Sequence, residues 1–349
     1  MSNFLLLACK AQDENTEPGK NVFKVILNTL RRLRKGNPEE WLHTAELCKD
    51  SAVYAIRLPY EPEQLEKLSK GSIEKINRFI NDLKSLHSIE NIYIPESLSH
   101  IPWINVHQEQ KIDGNGLYRS LIVKILEEIY SNYGMNIRDL DITIVHGMQD
   151  DFLFELVSRL ANYVKYLTVI SNSKERIEEQ LNRFYSDTGL SIGITKDYKS
   201  GLRNVDVVIN LGDLKEFILN SRINPKAIIL NYGNLDISRV YSENPIINGI
   251  DVSLPAKVSE VLMQEVADQF NHLQLAEIIL RNVEKSENIG EKEDLSSSSG
   301  DNLDKKFDDY GFKIKYFIGR REILKTAEIR IDLEKKGGNG NRRRKADEF

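Results

Sequence analysis

The second half of the chain repeats one pattern, in which a short apolar segment is followed by a helical segment. Five apolar segments follow residue 141, and they are Ile142–Val145, Tyr166–Ile170, Ile192–Ile194, Val205–Asn210 and Ala227–Leu230. Because these segments have few alternating polar positions, both faces of each strand are expected to be buried. A parallel sheet with helices on both sides buries strands in this way. The pattern therefore predicts a doubly wound, Rossmann-like domain.

The first 115 residues predict a separate α/β domain. Three β-rich segments occur there, and they are Phe4–Cys9, Ala52–Leu58 and Ile92–Ile94. Between the last two, apolar residues recur at helical spacing, namely Ile73, Ile76, Phe79, Ile80, Leu83 and Leu86. Strand, helix and strand in this order are typical of a βαβ unit. The predicted fold class is thus α/β, with an N-terminal α/β domain before the Rossmann-like domain.

The rest of the chain completes the predicted domain organisation. Residues 116–283 form the Rossmann-like domain, with a connecting helix at 117–130 and a return helix at 256–282. Residues 284–310 are acidic and serine-rich, which predicts a flexible linker. Residues 311–349 are expected to hold a strand pair, Phe312–Tyr316 and Ile329–Leu333, and a flexible basic tail.

Charge and hydropathy exclude several function classes. With 48 Lys and Arg against 53 Asp and Glu, the net charge is -5, which argues against a nucleic-acid-binding protein. Only a weak nucleic-acid contact through the tail residues is left open, and these are Arg342, Arg343, Arg344 and Lys345. No apolar run approaches the roughly 20 residues that span a bilayer, so no membrane partner is expected.

Cysteine and histidine usage indicates a chain without disulfides or metal. Cys9 and Cys48 cannot form a disulfide framework. The apolar run before Cys9 is too short for a signal peptide, so a cytoplasmic protein is expected. No two of the six histidines have helical metal-ligand spacing, which predicts no metal site.

The turn after the first strand of the Rossmann-like domain carries the strongest functional signal. Dinucleotide-binding turns are rich in glycine, whereas Gly147 is the one glycine between His146 and Asp151. Asp150 and Asp151 place two carboxylates where a pyrophosphate would lie, and like charges repel. The same carboxylates suit the start of a helix without a ligand. Both interpretations stay open, and Gly147 is a candidate cofactor-binding residue.

Further candidate cofactor-binding residues follow two other strands. Asn172, Ser173 and Lys174 come after the second strand, where no acidic residue is available for a ribose 2′-hydroxyl. Lys174 and the nearby Arg176 suit a 2′-phosphate better, although a capped surface helix explains the same residues. Asn210 ends the fourth strand and is a candidate for the same cofactor site.

Four short segments resemble, in order, motifs of the shikimate/quinate dehydrogenase superfamily. The segments are Leu58-Pro59-Tyr60-Glu61, Asp113-Gly114-Asn115-Gly116-Leu117, Ile170-Ser171-Asn172-Ser173-Lys174 and Met263-Gln264-Glu265-Val266-Ala267-Asp268-Gln269-Phe270. They extend over roughly residues 50–280. The resemblance implies a two-domain protein with NADP in the Rossmann-like domain and a cleft between residues 1–115 and 140–250.

The resemblance also implies roles for single residues. Asp113 matches the acidic member of the family's catalytic Lys–Asp pair, and Gln264 matches the glutamine that contacts the substrate. Glu61 stands where the family has the catalytic lysine, and it reverses the charge there. If the cleft brings Glu61 and Asp113 together, they form a paired-carboxylate site. Asn172 matches the asparagine of the NADP segment, whereas Ser173 replaces its arginine.

Two functions follow from this mixture of retained and altered motifs. The first is a non-catalytic or repurposed relative that binds a small molecule in the interdomain cleft or a protein partner. The second is an NADP-dependent oxidoreductase that acts on a small hydroxy or oxo acid. A scaffold that acts through the C-terminal strands and tail is a third, weaker hypothesis.

Overall fold

The structure of the protein is a computed structural model that describes most of the chain. The described residues are 3–9, 42–48, 51–58, 60–105, 112–131, 134–147, 150–212, 223–233, 244–256, 258, 262, 266, 268–288, 303–319, 323–324 and 329. They divide into two compact units. The first unit contains Met1–Leu117 and Ser253–Lys313, and the second contains Tyr118–Val252 and Ile314–Phe349. Each unit is therefore discontinuous in sequence, whereas the predicted domains are continuous.

The described residues form thirteen strands and ten α-helices. The strands are β1 (Asn3–Cys9), β2 (Leu42–Cys48), β3 (Ser51–Leu58), β4 (Ile89–Tyr93), β5 (Ile142–Val145), β6 (Tyr166–Ile170), β7 (Ser191–Thr195), β8 (Val207–Asn210), β9 (Ile228–Asn231), β10 (Ile246–Ile247), β11 (Gly249–Ser253), β12 (Lys313–Ile318) and β13 (Ile323–Leu324). The helices are α1 (Pro62–Glu66), α2 (Lys70–His87), α3 (Pro102–Asn105), α4 (Asn115–Ser120), α5 (Ile122–Tyr130), α6 (Asp150–Leu160), α7 (Lys174–Thr188), α8 (Tyr198–Gly201), α9 (His272–Asn288) and α10 (Leu303–Asp309).

The first unit contains a four-stranded sheet in the order β2-β3-β1-β4. β1 is parallel to β3 and to β4, which confirms the three predicted strands and their βαβ arrangement. β2 is antiparallel to β3 and is not expected from the sequence, because Leu-His-Thr-Ala-Glu-Leu-Cys has no β-rich run. All side chains of β1 are buried, so this strand lies at the centre of the unit.

Helix α2 shows how the sequence determines one element of this unit. The Ser69 Oγ atom accepts a hydrogen bond from the Ser72 N–H and caps the helix start. Ser88 ends the helix in the left-handed conformation, with φ of 51°. Ile76, Ile80 and Leu83 form the buried face of the helix, as the apolar spacing predicts. They join the apolar core on one side of the sheet.

The second unit contains a six-stranded sheet in the order β10-β9-β8-β5-β6-β7. All of its strand pairs are parallel. Numbered within the unit and read from β7, the order is 3-2-1-4-5-6, which is the order of a dinucleotide-binding Rossmann fold. The five predicted strands are confirmed. β10 is an additional strand, because two residues are too few for a sequence pattern.

The C-terminal elements differ in part from the prediction. The strand predicted at Phe312–Tyr316 is confirmed as β12, which belongs to a three-stranded sheet in the order β11-β12-β13. Its antiparallel neighbour is β13 rather than Ile329–Leu333, which lies outside the described residues except for Ile329. The predicted linker is wrong over part of its length, because α9 continues to Asn288 and α10 starts at Leu303.

Two predicted helices also have different bounds. The helix predicted at 117–130 is two helices, α4 and α5, and Leu121 between them has φ of -85° and ψ of 10°. The return helix predicted at 256–282 is described as a continuous helix from His272 only. Leu275, Ala276 and Ile279 of this helix are buried.

Within the described ranges, no helix is long and apolar enough to cross a membrane. In the same part of the chain, no three His, Cys, Asp or Glu side chains lie close enough together to bind a metal ion.

Candidate functional site

Three glycines lie close together at the carboxyl edge of the sheet in the second unit. Gly147 follows β5, Gly212 follows β8, and Gly233 follows β9. A Cβ atom on Gly147 would lie 2.8 Å from the Gly212 Cα atom, and one on Gly233 would clash with the Gly212 carbonyl oxygen. β5 and β8 flank the position where the strand order reverses, and ligands of such sheets bind there. The glycines therefore allow three turns to touch at the expected ligand-binding edge.

A row of asparagine amides runs along the same edge. The Asn210 Nδ2 atom donates to the Asn231 Oδ1 atom at 2.7 Å, and the Asn231 Nδ2 atom donates to the Asn248 Oδ1 atom at 3.3 Å. Asn210 also donates to the Gly212 carbonyl at 3.1 Å, and Asn231 donates to that of Gly233 at 3.3 Å. Asn210 is fully buried. Its amide group thus holds the strand ends in place, and its donors are already used within the protein.

A histidine and an aspartate lie at the turn between β5 and α6. The His146 side chain is buried, and its Nδ1 atom lies 2.9 Å from the Ser171 Oγ atom. Its Nε2 atom lies 3.0 Å from the Asp150 Oδ1 atom. The same carboxylate oxygen accepts a hydrogen bond from the Arg176 Nη2 atom at 2.8 Å. Asp150 therefore links the end of β5 to the first turns of α6 and α7.

This arrangement can be compared with the needs of a dinucleotide pyrophosphate. Such a group requires free backbone N–H donors and a positive potential at the start of the helix after the first strand. Asp150 and Asp151 instead supply negative charge in the first turn of α6. A carboxylate and a phosphate about 4 Å apart repel each other by up to about 4 kcal/mol at an effective dielectric constant of about 20. Screening by Arg176 and by solvent reduces this repulsion. The described side chains of this turn therefore do not fit a pyrophosphate.

The candidate residues after β6 lie next to this turn. Asn172 is exposed, and Ser173 occupies the first position before α7 without a side-chain cap bond. The predicted capping role of Ser173 is therefore wrong, and its N–H instead donates to the Ser171 Oγ atom at 3.1 Å. The Lys174 Nζ atom lies 3.8 Å from a Glu178 carboxylate oxygen, one turn along α7.

Aromatic rings pack beside the glycine turns. The Tyr118 and Tyr232 rings stack with their centroids 4.4 Å apart, and Phe152 meets Tyr232 edge to face at 5.6 Å. The Arg119 guanidinium lies 4.1 Å from the centroid of the Phe152 ring. Burial raises the pKa of both tyrosine hydroxyls, so both are neutral at physiological pH.

In the first unit, the Asp-Gly-x-Gly segment packs against α9. Gly114 has φ of +88°, and a Cβ atom there would lie 3.0 Å from the Gln274 backbone nitrogen. A Cβ atom on Gly116 would clash with the Glu277 carboxylate. The Gln274 Nε2 atom donates to the Ile112 carbonyl at 2.8 Å. Close packing against α9 therefore explains both glycines of this segment.

A polar pocket of about 260 Å³ lies beside this segment within the first unit. It is lined by Ile94, Glu96, Ser99, Ile112, Asp113, Gln269, Asn271 and Gln274. The Asp113 carboxylate accepts hydrogen bonds from the Asn115 backbone N–H at 3.0 Å and from its side-chain amide at 2.8 Å. Asp113 remains exposed to solvent. The pocket thus presents a carboxylate and several amides to a small molecule.

The other two residues of the predicted catalytic set are Glu61 and Gln264. Glu61 precedes α1, where it forms a capping box with Gln64. It is not among the described residues that line the pocket. Gln264 lies outside the described residues. Another glutamine of the Met263–Phe270 segment, Gln269, lines the pocket.

Gln269 is held by the end of β1. Its Oε1 atom accepts from the Cys9 N–H at 2.9 Å and from the Cys9 thiol at 3.3 Å. Its Nε2 atom donates to the Cys9 carbonyl. Burial raises the pKa of the Cys9 thiol to about 11, so the thiol is not a nucleophile at neutral pH.

Sequence reasoning misses two residues of these two regions, namely His146 and Gln269, as members of a site. His146 directly follows an apolar strand, which is a signal for the carboxyl edge of a sheet. Arg176 is expected as a phosphate ligand, but its contact with Asp150 joins residues 26 positions apart and has no sequence signature. Gln269 lies within the Met263–Phe270 segment, five residues from Gln264.

Comparison with known proteins gives matches in structure only. No protein-family model matches the chain, and no curated protein matches it in sequence. A Thermococcus litoralis Δ1-pyrroline-2-carboxylate reductase, solved with NADH and L-proline, is 11% identical with a TM-score of 0.25. That match covers 34% of this chain and 36% of the reductase.

Two further structures match over more of their length. L-tryptophan dehydrogenase from Nostoc punctiforme is 12% identical with a TM-score of 0.29, over 97% of this chain and 89% of that chain. Shikimate 5-dehydrogenase from Listeria monocytogenes, solved with shikimate and NAD, is 10% identical with a TM-score of 0.29, over 88% and 96%. At these identities and TM-scores, no activity, substrate or cofactor carries over to this chain.

Proposed function

We propose that this chain is a shikimate-dehydrogenase-like protein that binds a small molecule and does not use a nicotinamide cofactor. The observation that carries the proposal is the position of Asp150. Its carboxylate lies in the first turn of α6, 2.8 Å from Arg176 and 3.0 Å from His146. In a dinucleotide-binding fold, a bound phosphate supplies the negative charge that balances the positive end of this helix and nearby cations. The Asp150 carboxylate supplies negative charge in the same place.

The cations of this region support the same conclusion. A 2′-phosphate of NADP needs an arginine or lysine that is free to bind it. Arg176 is paired with Asp150, and the Lys196 Nζ atom lies 2.7 Å from Glu175. The Lys196 ammonium holds the pKa of the Glu175 carboxyl below its usual range, so this pair stays ionised. Binding a 2′-phosphate would therefore require existing ion pairs to break.

The ligand of this proposal occupies the polar pocket of the first unit. The pocket is lined by the Asp113 carboxylate and by the amides of Gln269, Asn271 and Gln274. Such groups bind a small ligand that carries hydroxyl or amine donors. Among the described lining residues no lysine stands beside the Asp113 carboxylate. These residues therefore supply groups that bind such a ligand, but not the pair of groups that would move a proton from its hydroxyl.

The test compares cofactor binding before and after the two carboxylates are neutralised. Thermal unfolding of the full chain is measured with and without NADPH or NADH at about 1 mM. A cofactor with a Kd of about 10 µM would stabilise the chain by about 2.7 kcal/mol and raise Tm by several degrees. We expect no rise for the unaltered chain and a measurable rise for Asp150→Asn/Asp151→Asn.

Glu155→Gln is the matched control, because it removes a carboxylate from the same helix beyond its first turn. This variant should respond to cofactor as the unaltered chain does. A rise of several degrees in the unaltered chain would contradict the proposal. It would favour the alternative, an NADP-dependent oxidoreductase of a small hydroxy or oxo acid, which the exposed Asn172 beside Lys174 supports.

A further inference from the structure

The six-stranded sheet of the second unit carries a second pocket, away from its carboxyl edge. The pocket has a volume of about 310 Å³, which is sufficient for a small ligand. It is lined by Asp141, Ile142, Thr143, Tyr166, Thr168, Thr195, Ser200, Gly201, Asn204 and Val205. Asp141 precedes β5 and Tyr166 begins β6, so the pocket reaches the amino ends of these strands. It is therefore separate from the turns around Gly147 and Asp150.

Small and polar residues in register create this pocket. Thr143 of β5 pairs with Thr168 of β6, and Thr168 pairs with Gly193 of β7. Residues in register point to the same face of a sheet. A Cβ atom on Gly193 would have its nearest neighbours at 3.9 Å or more, so the space above it is open. Thr195, two residues after Gly193 on the same strand, adds another hydroxyl to the pocket.

The short helix α8 leaves this part of the sheet face uncovered. α8 has four residues, and it packs over the carboxyl half of the face, where Gly201 lies against the Ile170 side chain. Leu202 and Val205 join Val145 and Ile170 in an apolar cluster there. The Thr143 Oγ1 atom donates to the Gly201 carbonyl at 2.9 Å, at the border between the two halves. The hydroxyl-bearing half remains open beside this contact.

Several polar groups of the pocket are available to a ligand. Counting partners within the described ranges only, the side chains of Tyr166, Thr168 and Asn204 and the Asp141 carboxylate make no hydrogen bond to another residue. The Tyr166 side chain is 64% exposed, so its apolar ring is in contact with solvent. Its ring therefore offers a flat surface at the rim of the pocket, with hydroxyl groups next to it.

The negative charge of the lining residues indicates which class of ligand the pocket would bind. The residues that line it include a carboxylate and five hydroxyl groups, and they include no lysine or arginine. A second carboxylate lies next to it, because the Asp206 Oδ2 atom accepts from the Asp141 N–H at 3.0 Å. A ligand phosphate or carboxylate would therefore face the carboxylates of Asp141 and Asp206 without a cation among the lining residues. Hydroxyl groups and carboxylates hydrogen-bond to ligand hydroxyls or amines, and an aromatic ring packs on the apolar face of a sugar ring.

We propose that this pocket binds a hydroxyl-rich sugar ring that carries no negative charge. The sugar ring packs on Tyr166, and its hydroxyls bond to Thr168, Asn204 and Asp141. An amino group on the ring adds an ion pair with Asp141. This proposal does not depend on the absence of a nicotinamide cofactor, since the two regions share no residue.

Saturation-transfer NMR on the full chain tests the proposal. The probes are D-glucosamine, D-glucose and D-glucose 6-phosphate, each at about 10 mM, a concentration suited to weak ligands. We expect binding of glucosamine and glucose, with glucosamine the stronger, and binding of the phosphate at least about tenfold weaker. Asp141→Asn should remove the advantage of glucosamine over glucose.

Two variants and one control locate the site. Tyr166→Ala and Thr168→Val should each weaken sugar binding about tenfold. Tyr185→Ala changes another exposed tyrosine, on α7, and should leave binding unchanged. Thr168→Val keeps the side-chain shape and provides a folded variant if Tyr166→Ala unfolds. The proposal is wrong if neither sugar binds the unaltered chain, if the phosphate binds as well as glucose, or if Tyr185→Ala weakens binding as much as Tyr166→Ala.

Discussion

Asp150 and Arg176 form a salt bridge in which the Asp150 Oδ1 atom lies 2.8 Å from the Arg176 Nη2 atom. The two residues belong to the first turns of α6 and α7, which follow the central strand β5 and its neighbour β6. In a dinucleotide-binding fold, these two helix starts face the pyrophosphate and the adenosine ribose. This pair therefore joins, within the protein, two positions that a dinucleotide would otherwise bridge.

The energy of this salt bridge should be small. Arg176 is 53% exposed and Asp150 is 28% exposed, and partly solvated pairs of this kind contribute about 0.2–1 kcal/mol. A double-mutant cycle with Asp150→Asn and Arg176→Met, followed by urea unfolding, should give a coupling energy in this range. The more exposed Lys165–Asp139 pair is the control and should couple less. A coupling above about 3 kcal/mol would mean that the Asp150–Arg176 pair is fully desolvated.

Gly114 should tolerate alanine less well than Gly134 does. Both residues have positive φ, of 88° and 65°, but of the two only Gly114 would bring an added Cβ atom within 4 Å of neighbouring atoms. Gly134→Ala should therefore lower the free energy of unfolding by about 1–2 kcal/mol, from backbone strain alone. Gly114→Ala adds the clash with Gln274 and should lower it by about 2–4 kcal/mol. Equal losses in urea unfolding would show that α9 does not pack closely against Gly114.

The asparagines at the carboxyl edge of the sheet should contribute to stability cooperatively, because their amides hydrogen-bond to one another. Asn210→Ala removes three hydrogen bonds and leaves the Asn231 Oδ1 atom without its 2.7 Å donor in a buried place. The expected loss is about 1–3 kcal/mol in urea unfolding. The exposed Asn172 is the control, because Asn172→Ala should change stability by less than about 0.5 kcal/mol. Asn231→Ala combined with Asn210→Ala should cost less than the sum of the two single changes.

Asp206 should make the chain less stable as the pH rises. Burial, together with the nearby negative charge of Asp141, raises the pKa of the Asp206 carboxyl in the folded chain. A raised folded pKa contributes stability that is fully present below the unfolded pKa of about 3.9 and is lost as the pH rises through the folded pKa. Asp206→Asn keeps an oxygen acceptor for the Asp141 N–H and does not titrate.

The variant should therefore gain stability relative to the unaltered chain between pH 3 and pH 7, measured by urea unfolding at both values. A relative loss over the same interval would reverse the sign of the pKa shift and contradict the burial of this carboxyl.

Cys9 should be unreactive in the folded chain. Its thiol pKa of about 11 leaves about 300-fold fewer thiolates at neutral pH than an ordinary pKa of about 8.5. In a Cys48→Ser variant, a thiol reagent should therefore label Cys9 at least about 100-fold more slowly in the native chain than in urea. Gln269→Ala, which removes the acceptor of the Cys9 N–H, should increase the native rate. Equal rates in native and urea-unfolded chain would show that Cys9 is accessible.

The main sheet can be predicted because its strands are both apolar and separated by helical segments. Strands buried on both faces have a strong composition signal, so the sequence locates β5 to β9 within a few residues. β2 has mixed composition, and β10 has two residues, so neither has a local pattern. Their positions depend on pairing with β3 and β9, which is a tertiary contact.

The candidate site can be predicted only where its residues are neighbours in sequence. Gly147 and Asn172 are identifiable because each lies in the turn after a predicted strand, and Asp113 is identifiable because it belongs to the Asp-Gly-x-Gly segment before a predicted helix. The contacts of Asp150 with Arg176 and of Gln269 with Cys9 join residues 26 and 260 positions apart. The sequence shows charge or amide chemistry at each position, but it has no periodicity that pairs them. The pairing of Thr143 with Thr168 could not be predicted from the sequence either, because each threonine alone resembles an ordinary strand residue.

Calorimetric titration of the unaltered full chain with NADPH and with NADH tests the central claim most directly. The claim predicts no saturable heat up to about 1 mM cofactor, because Asp150 and Asp151 repel the pyrophosphate and Arg176 is engaged with Asp150. Saturable binding with a Kd of about 10 µM or tighter would contradict it, since such affinity requires favourable contacts worth about 7 kcal/mol. That result would favour the alternative function, a nicotinamide-dependent oxidoreductase.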